Sequence, residues 1–204
     1  MRRRGFTLVE LSIASVITAL TAGAVVGTLR AFSDMMRDQD ATADGTARIA
    51  RADARVADHL ERARLVLWQD SDEVLLWLPT EPFTSSATNT AEYDAINANE
   101  LAWYVMDADS HSLILRCVSN RSDRTTHALS TDWASLRTTL QAQGRLACTT
   151  VLEGLSTGAF LVESNDPCSV RRFTFAGSLD TAHGGIAVQL GGRLANGQRH
   201  PDCP

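Results

Sequence analysis

The alternation of apolar and polar positions divides the chain into three parts. The first part is an apolar run from Phe6 to Leu29 in which Glu10 is the only charged residue. A helix of about 24 residues would extend roughly 36 Å, which exceeds the ~30 Å hydrocarbon core of a bilayer. We therefore predict a transmembrane helix over residues 6–29.

The second part runs from Arg30 to about Leu67 and contains no proline. Its apolar residues recur at spacings of three and four, as one face of a helix requires. These residues are Ile49, Ala52, Val56, Leu60, Ala63 and Leu67. The opposite face is charged, with Arg48, Arg51, Arg55, Asp58, Glu61 and Arg62. The pattern predicts an amphipathic helical stalk over residues 30–64, with a kink or short break at Asp44-Gly45.

The third part, residues 65–204, has the pattern of a β-rich head. Apolar runs on either side of polar turns predict two hairpins, over Leu65–Leu78 and Leu101–Val118. Asp132 is placed to cap a short helix that ends at Gly144. Further short apolar runs predict antiparallel strands at Leu146–Leu152, Ala159–Val162, Val170–Phe175 and Ile186–Leu190. The chain as a whole is predicted to be α+β.

Glu10 is the anomaly of the apolar run. A carboxylate inside a membrane segment costs on the order of ~3 kcal/mol, so it needs a partner. It stands in the stretch Gly5-Phe6-Thr7-Leu8-Val9-Glu10, directly after three arginines. This stretch resembles the processing and methylation motif of type IV prepilins and type II secretion pseudopilins. The resemblance is specific over about the first 30 residues of the chain.

The resemblance implies a set of roles for the first residues. A membrane prepilin peptidase would cleave a basic leader, residues 1–5, after Gly5 and would N-methylate Phe6. Glu10 would then pair with the N-terminal amine of a neighbouring subunit during assembly. Gly23 and Gly27 form a small-xxx-small pair that lets another helix approach closely. The implied partners are the prepilin peptidase, other pilin or pseudopilin subunits and the lipid of the inner membrane.

The resemblance also implies a fold, a location and a function. The fold is type IV pilin-like, with the long N-terminal helix packed on an antiparallel head. Arg2, Arg3 and Arg4 place the N-terminus in the cytoplasm by the positive-inside rule, so the head of this single-pass inner-membrane protein is periplasmic. The function is that of a minor pilin or pseudopilin in a type IV pilus or type II secretion filament. In outline the chain is similar to J-type minor pseudopilins and W-type minor pilins.

Other interpretations of the N-terminus stay open at this point. They are a secretory signal peptide cleaved near Ala22-Gly23-Ala24, a twin-arginine signal at Arg3–Leu8, and a plain membrane anchor. Each of them leaves Glu10 unexplained. The alternative function is a membrane-tethered exported enzyme or binding module. In a ligand-binding head, the loops at residues 79–99 and 119–131 would be the contact surfaces.

Charge and composition exclude several classes of function. The 204 residues carry a net charge of −5, which becomes −8 once a leader with three arginines is removed. An acidic exported part argues against binding to nucleic acid. Lysine is absent, so lysine catalysis and phosphate binding by a Walker-type lysine are excluded.

Four cysteines lie outside the apolar run and form no CxxC pair: Cys117, Cys148, Cys168 and Cys203. In an exported domain an even number of cysteines predicts up to two disulfides. We expect at least one bridge that joins two of Cys148, Cys168 and Cys203. Reduced, buried thiols are the alternative.

No pattern in the head predicts catalysis, so we expect a protein that is not an enzyme. Asp70-Ser71-Asp72 and Asp107-Ala108-Asp109 resemble the start of a calcium loop. Both lack the glycine at loop position six and the glutamate at position twelve. Calcium is therefore the only cofactor left open, and acidic hairpin turns are the favoured interpretation.

Overall fold

The computed structural model of the chain describes residues 7–79, 96–161, 164, 169–170, 172–181 and 184–194. Within these residues the helices are α1 (Leu8–Arg62) and α2 (Trp133–Ala142). The strands are β1 (Leu65–Gln69), β2 (Glu73–Trp77), β3 (Ile96–Asn97), β4 (Leu101–Asp107), β5 (Ser112–Val118), β6 (Thr126–His127), β7 (Leu146–Glu153), β8 (Leu155–Phe160), β9 (Arg172–Thr181) and β10 (Gly184–Arg193). A long helix followed by antiparallel sheets confirms the predicted α+β class.

The chain forms two compact units, residues 1–44 and residues 45–204. Helical residues continue through Asp44-Gly45, so the predicted short break is wrong, whereas a kink there stays a prediction. The glycine has another role, because a Cβ added at Gly45 would lie 2.9 Å from Ile186 Cδ1 and 3.2 Å from Leu179 Cδ2. Gly45 therefore permits close packing of α1 against β9 and β10 instead of interrupting the helix.

The large sheet has five antiparallel strands in the order β1-β2-β4-β5-β7. Both predicted hairpins are present in it, β1 with β2 and β4 with β5. One face packs on α1 through Ala52, Val56 and Leu60. The other face packs on α2 through Trp133 and Leu140. Because both faces are covered, all of β2 is buried, which explains its continuous apolar run.

The small sheet has the order β10-β9-β8 and completes the cover over α1. Its strands are longer than predicted, since β8 begins at Leu155 and β9 and β10 have ten residues each. Glycines hid this continuity in the sequence. Gly158 lies inside β8, where an added Cβ would overlap the Phe175 ring of β9. A glycine that signals a turn in the sequence is here a site of close ring packing.

The predicted short helix is present as α2 and has the predicted ends. Ser135 N–H donates to Asp132 Oδ1 at 3.2 Å, which makes Asp132 the N-cap. Gly144 follows the helix with φ of +65°, a conformation that favours glycine.

A polar contact fastens the end of α1 to the large sheet. Tyr104 Oη lies 2.8 Å from His59 Nδ1, and the two rings meet edge to face. Burial lowers the pKa of His59, and the Arg62 guanidinium lowers it further. The neutral imidazole is therefore the form that the folded head favours.

Candidate functional site

Thr7 and Glu10 form a reciprocal hydrogen-bonded cap at the start of α1. Glu10 N–H donates to Thr7 Oγ1 at 3.3 Å, and Thr7 N–H donates to Glu10 Oε2 at 2.9 Å. The Thr7 hydroxyl donates to the same Oε2 at 3.0 Å. This arrangement is a capping box, which satisfies two backbone N–H groups that the first helical turn leaves unpaired. The Thr-x-x-Glu spacing is legible in the sequence, and our sequence analysis missed it.

The cap holds the Glu10 carboxylate in one orientation. All the contacts from Thr7 fall on Oε2, and no residue in the described part of the chain donates a hydrogen bond to Oε1. Glu10 is also exposed. One oxygen of the only acid in the apolar run is thus positioned by the helix start, while the other faces the surroundings. Gly5 and Phe6, the predicted cleavage and methylation residues, lie outside the described residues.

The helix that follows Glu10 has large apolar side chains on its whole circumference. Leu11 is 63%, Leu20 68% and Leu29 63% exposed. Within the described residues, α1 is the helix long and apolar enough to cross a membrane. No residue in the described part of the chain covers these side chains, so they are suited to lipid or to another protein.

Hydroxyl groups within the apolar segment are bonded to their own helix. Ser12, Ser15 and Thr18 each donate to the carbonyl oxygen four residues earlier, at 2.8 to 3.0 Å. Thr21 and Thr28 make comparable bonds to backbone carbonyls of the same helix. In hydrocarbon an unsatisfied polar group is costly, so this internal bonding suits a membrane segment.

Gly23 and Gly27 lie one helical turn apart and therefore on the same face of α1. A Cβ added at either glycine would meet no atom within 4 Å. This face is thus an exposed strip of backbone, open to the close approach of another helix. Their role in helix packing stays a prediction.

Cys117 on β5 and Cys148 on β7 are free thiols. The strand register places Cys117 opposite Ala147 and Cys148 opposite Arg116, so the two thiols point to opposite faces of the large sheet. Burial raises the pKa of the Cys117 thiol. The structure thus contradicts a disulfide between Cys117 and Cys148. Cys168 and Cys203 lie outside the described residues, so the expected bridge that joins two of Cys148, Cys168 and Cys203 stays a prediction.

The two acidic turns of the large sheet are stabilised by their own hydrogen bonds. Ser110 Oγ donates to Asp107 Oδ2 at 2.8 Å and lowers the pKa of that carboxyl. Asp70 Oδ1 accepts from Ser71 N–H at 2.7 Å. Among the described residues no three His, Cys, Asp or Glu side chains form a group that could hold a metal ion. Calcium binding therefore gains no support from these turns.

Comparison with known proteins bears on the N-terminal segment. Residues 1–26 match the family described as the prokaryotic N-terminal methylation motif. The match contains the predicted cleavage site, Glu10 and Gly23 but not Gly27, and it confirms the resemblance to type IV prepilins. No curated protein and no solved structure matches the chain.

Proposed function

We propose that this chain, a type IV prepilin-like protein, is a minor pilin or pseudopilin: a structural subunit of a type IV pilus or of a type II secretion pseudopilus. One observation carries the proposal. The only acid of an exposed apolar helix is oriented by a capping box, within a methylation motif, and offers one carboxylate oxygen to a partner outside the chain. The motif favours a structural subunit over an enzyme.

Membrane insertion and processing come first in the proposed sequence. The apolar run inserts with the arginine leader in the cytoplasm, and the head is exported to the periplasmic side. Prepilin peptidase then cleaves after Gly5 and methylates the new amine of Phe6. The methylated amine keeps its positive charge. Cleavage therefore replaces three arginines by one cation at the end of the helix.

The next step is the pairing of this cation with Glu10 of a neighbouring subunit. In a medium of low dielectric constant an isolated carboxylate is strongly disfavoured, and a nearby cation offsets that cost. Because Thr7 occupies Oε2, the incoming amine approaches Oε1 without breaking the cap. The ion pair then fixes the register between two subunits as well as their association.

Packing of the exposed apolar helix supplies the remaining binding energy. Gly23 and Gly27 let the backbone of a second helix approach closely, which strengthens dispersion contacts. Helices that associate in this way leave the head outside the helix bundle. The size of the head, about 140 residues, supports a minor subunit, and the J-type pseudopilin or W-type minor pilin is the finer proposal.

N-terminal sequencing and mass spectrometry of the protein from its native membrane test the processing step. We expect a mature chain that starts at Phe6 and carries one added methyl group. Gly5→Leu should stay at the precursor size, because a peptidase that closes on the scissile backbone has little room for a side chain. A mature start at Val25 would indicate a secretory signal peptide and overturn the proposal.

Two matched substitutions separate the charge of Glu10 from its capping role. Glu10→Gln keeps an oxygen that accepts the Thr7 N–H but removes the charge. Thr7→Val keeps the charge but removes the hydroxyl that accepts from Glu10 N–H and donates to Glu10 Oε2. We expect Glu10→Gln to insert and to be cleaved but to fail in crosslinking to other subunits, whereas Thr7→Val still crosslinks. Crosslinking is measured relative to membrane abundance.

The opposite result would mean that Glu10 only caps the start of α1. If Glu10→Gln crosslinks normally and Thr7→Val does not, the carboxylate serves as a cap and the ion-pair step is wrong. A chain with normal processing and no subunit partners in either variant would favour a tethered binding module.

A further inference from the structure

Strand β7 ends the large sheet in the part of the chain that the structure describes. Its residues Ala147, Cys148, Thr149 and Thr150 are exposed. Edge strands are commonly protected by lysine, proline or a bulge. Residues 146–150 have none of these, and the bulge of this strand lies beyond Thr150.

The backbone groups that β7 turns away from the sheet can be identified from the register. Ser119 N–H donates to the Arg145 carbonyl at 2.8 Å. Ser119 and Arg145, which lie just outside β5 and β7, are therefore a hydrogen-bonded pair. Bonded and non-bonded pairs alternate in antiparallel sheets, so Cys148 and Thr150 direct their N–H and C=O groups outward. Arg55 confirms this direction, because its Nη1 donates to the outward Thr150 carbonyl at 3.1 Å.

Arginines of α1 lie beside this edge. Arg48, Arg51 and Arg55 form one wall of a groove of about 230 Å³, and Thr150–Glu153 form the other wall. Among the described residues that line this groove, Glu153 is the one acid. Among the described residues, neither Arg51 nor Arg55 has a carboxylate within ion-pair distance, since the ion pairs found there use other arginines. A chain of net charge −5 thus concentrates positive charge at its exposed strand edge.

We propose that this edge receives an extended acidic segment of another polypeptide. The segment adds a strand to β7 through the outward groups of Cys148 and Thr150 and directs carboxylates toward Arg51 and Arg55. The strand edge identifies the partner as peptide, because its N–H and C=O groups alternate at the spacing of a β-strand. A phosphate or nucleic acid would use the arginines and leave the edge unpaired.

The exchange of partners at Arg55 favours binding. On binding, the Thr150 carbonyl accepts from a peptide N–H, and the released guanidinium pairs with a carboxylate. A charge-assisted bond of this kind is stronger than the neutral-acceptor bond that it replaces. The inference concerns residues 48–153 alone, so it stands or falls independently of the N-terminal motif.

Binding of a fluorescent synthetic peptide to the full-length protein in detergent micelles tests the proposal. The probe has about ten residues of alternating threonine and glutamate, the length of one strand. Two comparison peptides have lysine in place of glutamate, or N-methyl groups on alternate backbone amides of the glutamate peptide. We expect the first peptide to bind about tenfold or more tightly than either comparison peptide. Hydrogen exchange should slow in residues 146–150 when it binds.

Substitutions locate the site. The double variant Arg51→Glu, Arg55→Glu should weaken binding of the glutamate peptide about tenfold or more, whereas Arg124→Glu, an exposed arginine elsewhere on the head, should leave it unchanged. Thr150→Pro removes one outward N–H and should weaken binding, and tryptophan fluorescence checks that the variant is folded. No binding, equal binding of the lysine or N-methylated peptide, or equal weakening by Arg124→Glu would overturn the proposal.

Discussion

The apolar side chains at the N-terminal end of α1 are exposed, whereas those at its C-terminal end are buried. Near the N-terminus Leu20 is 68% exposed, whereas Val56, in the segment that belongs to the head, is 0% exposed. Both segments are helical, and both present apolar residues. They differ in the width of the apolar surface, since the N-terminal segment is apolar all round and the other has one apolar stripe that includes Ala52, Val56 and Leu60.

The comparison shows how one helix serves two environments. A narrow stripe with small residues such as Ala52 lets the head pack its sheets closely on the helix, and charged side chains keep the other face in water. A helix apolar on all sides cannot be covered by one small domain. Such a helix must be surrounded by lipid or by several neighbouring helices, as in a membrane anchor that also packs against other helices.

The largest expected effect separates the two segments directly. Val56→Asp places a carboxylate in the core and should lower the free energy of unfolding of the head by about 4 kcal/mol or more. Leu20→Asp should leave the head unchanged and instead weaken membrane insertion by roughly 3 kcal/mol. Urea unfolding in detergent, followed by tryptophan fluorescence, measures the head alone, because all four tryptophans lie between Trp68 and Trp133.

Equal urea midpoints for the two aspartate variants would contradict the comparison. So would normal membrane recovery of Leu20→Asp together with a destabilised head. Either outcome would mean that the head does not depend on the covered stripe of α1, or that the uncovered segment supports the head.

Glycine substitutions test the same contrast with a smaller effect. Gly45→Leu must displace Ile186 and Leu179 and should destabilise the head by about 1–3 kcal/mol. Gly23→Leu has open space and should leave the urea midpoint of the head unchanged. Both changes raise helix propensity by a similar amount, so their difference isolates packing. A Gly45→Leu protein as stable as Gly23→Leu would show that the helix and the small sheet can separate without cost.

The smallest effect concerns the hydrogen bond at the covered end of α1. Tyr104→Phe should cost about 1 kcal/mol of unfolding free energy, since it leaves His59 without its partner.

Burial lowers the pKa of His59 below its ordinary 6.5, so acidification favours the unfolded state, which binds the proton first. The His59 contribution is complete above pH 6.5, declines as the pH falls, and levels off below the folded-state pKa.

The control for the pH effect is His59→Phe, compared with the native chain at each pH. The difference between the two unfolding free energies should shrink below pH 6.5. Parallel stability profiles for the two proteins would show that His59 does not titrate on unfolding.

Local signals in the sequence predicted much of this fold. The apolar run, the stripe from Ala52 to Leu60 and the Asp132 cap each depend on neighbours a few residues apart. The hairpins were equally legible, because polar turns separate their strands. Sequence reasoning failed where a residue's role is set by distant contacts. Asp44-Gly45 was predicted to kink or break the helix, and a strand was predicted to start only at Ala159, after Gly158. Contacts with Ile186 and Phe175, far along the chain, decide the roles of Gly45 and Gly158.

The candidate site shows the same division. The motif around Gly5 and Glu10 was identified from the sequence because its residues are contiguous, although the Thr7 cap on Glu10 was missed. The arginine groove could not be found in this way. Arg51 and Arg55 appear in the sequence as a solvated helix face, and only the register of β7 brings Thr150 beside them.

The self-bonded hydroxyls of the apolar segment have a consequence for movement between environments. Ser12, Thr18 and Thr21 have already given their protons to helix carbonyls, so they present methylene or methyl surface to whatever surrounds them. Leaving lipid for a protein neighbour, or returning to lipid, then requires no polar group to change its partner. The barrier to that exchange reflects the fit of side chains and the entropy of the lipid chains. On the proposed function, the chain is thus held in the bilayer and withdrawn from it without any change of polar partners.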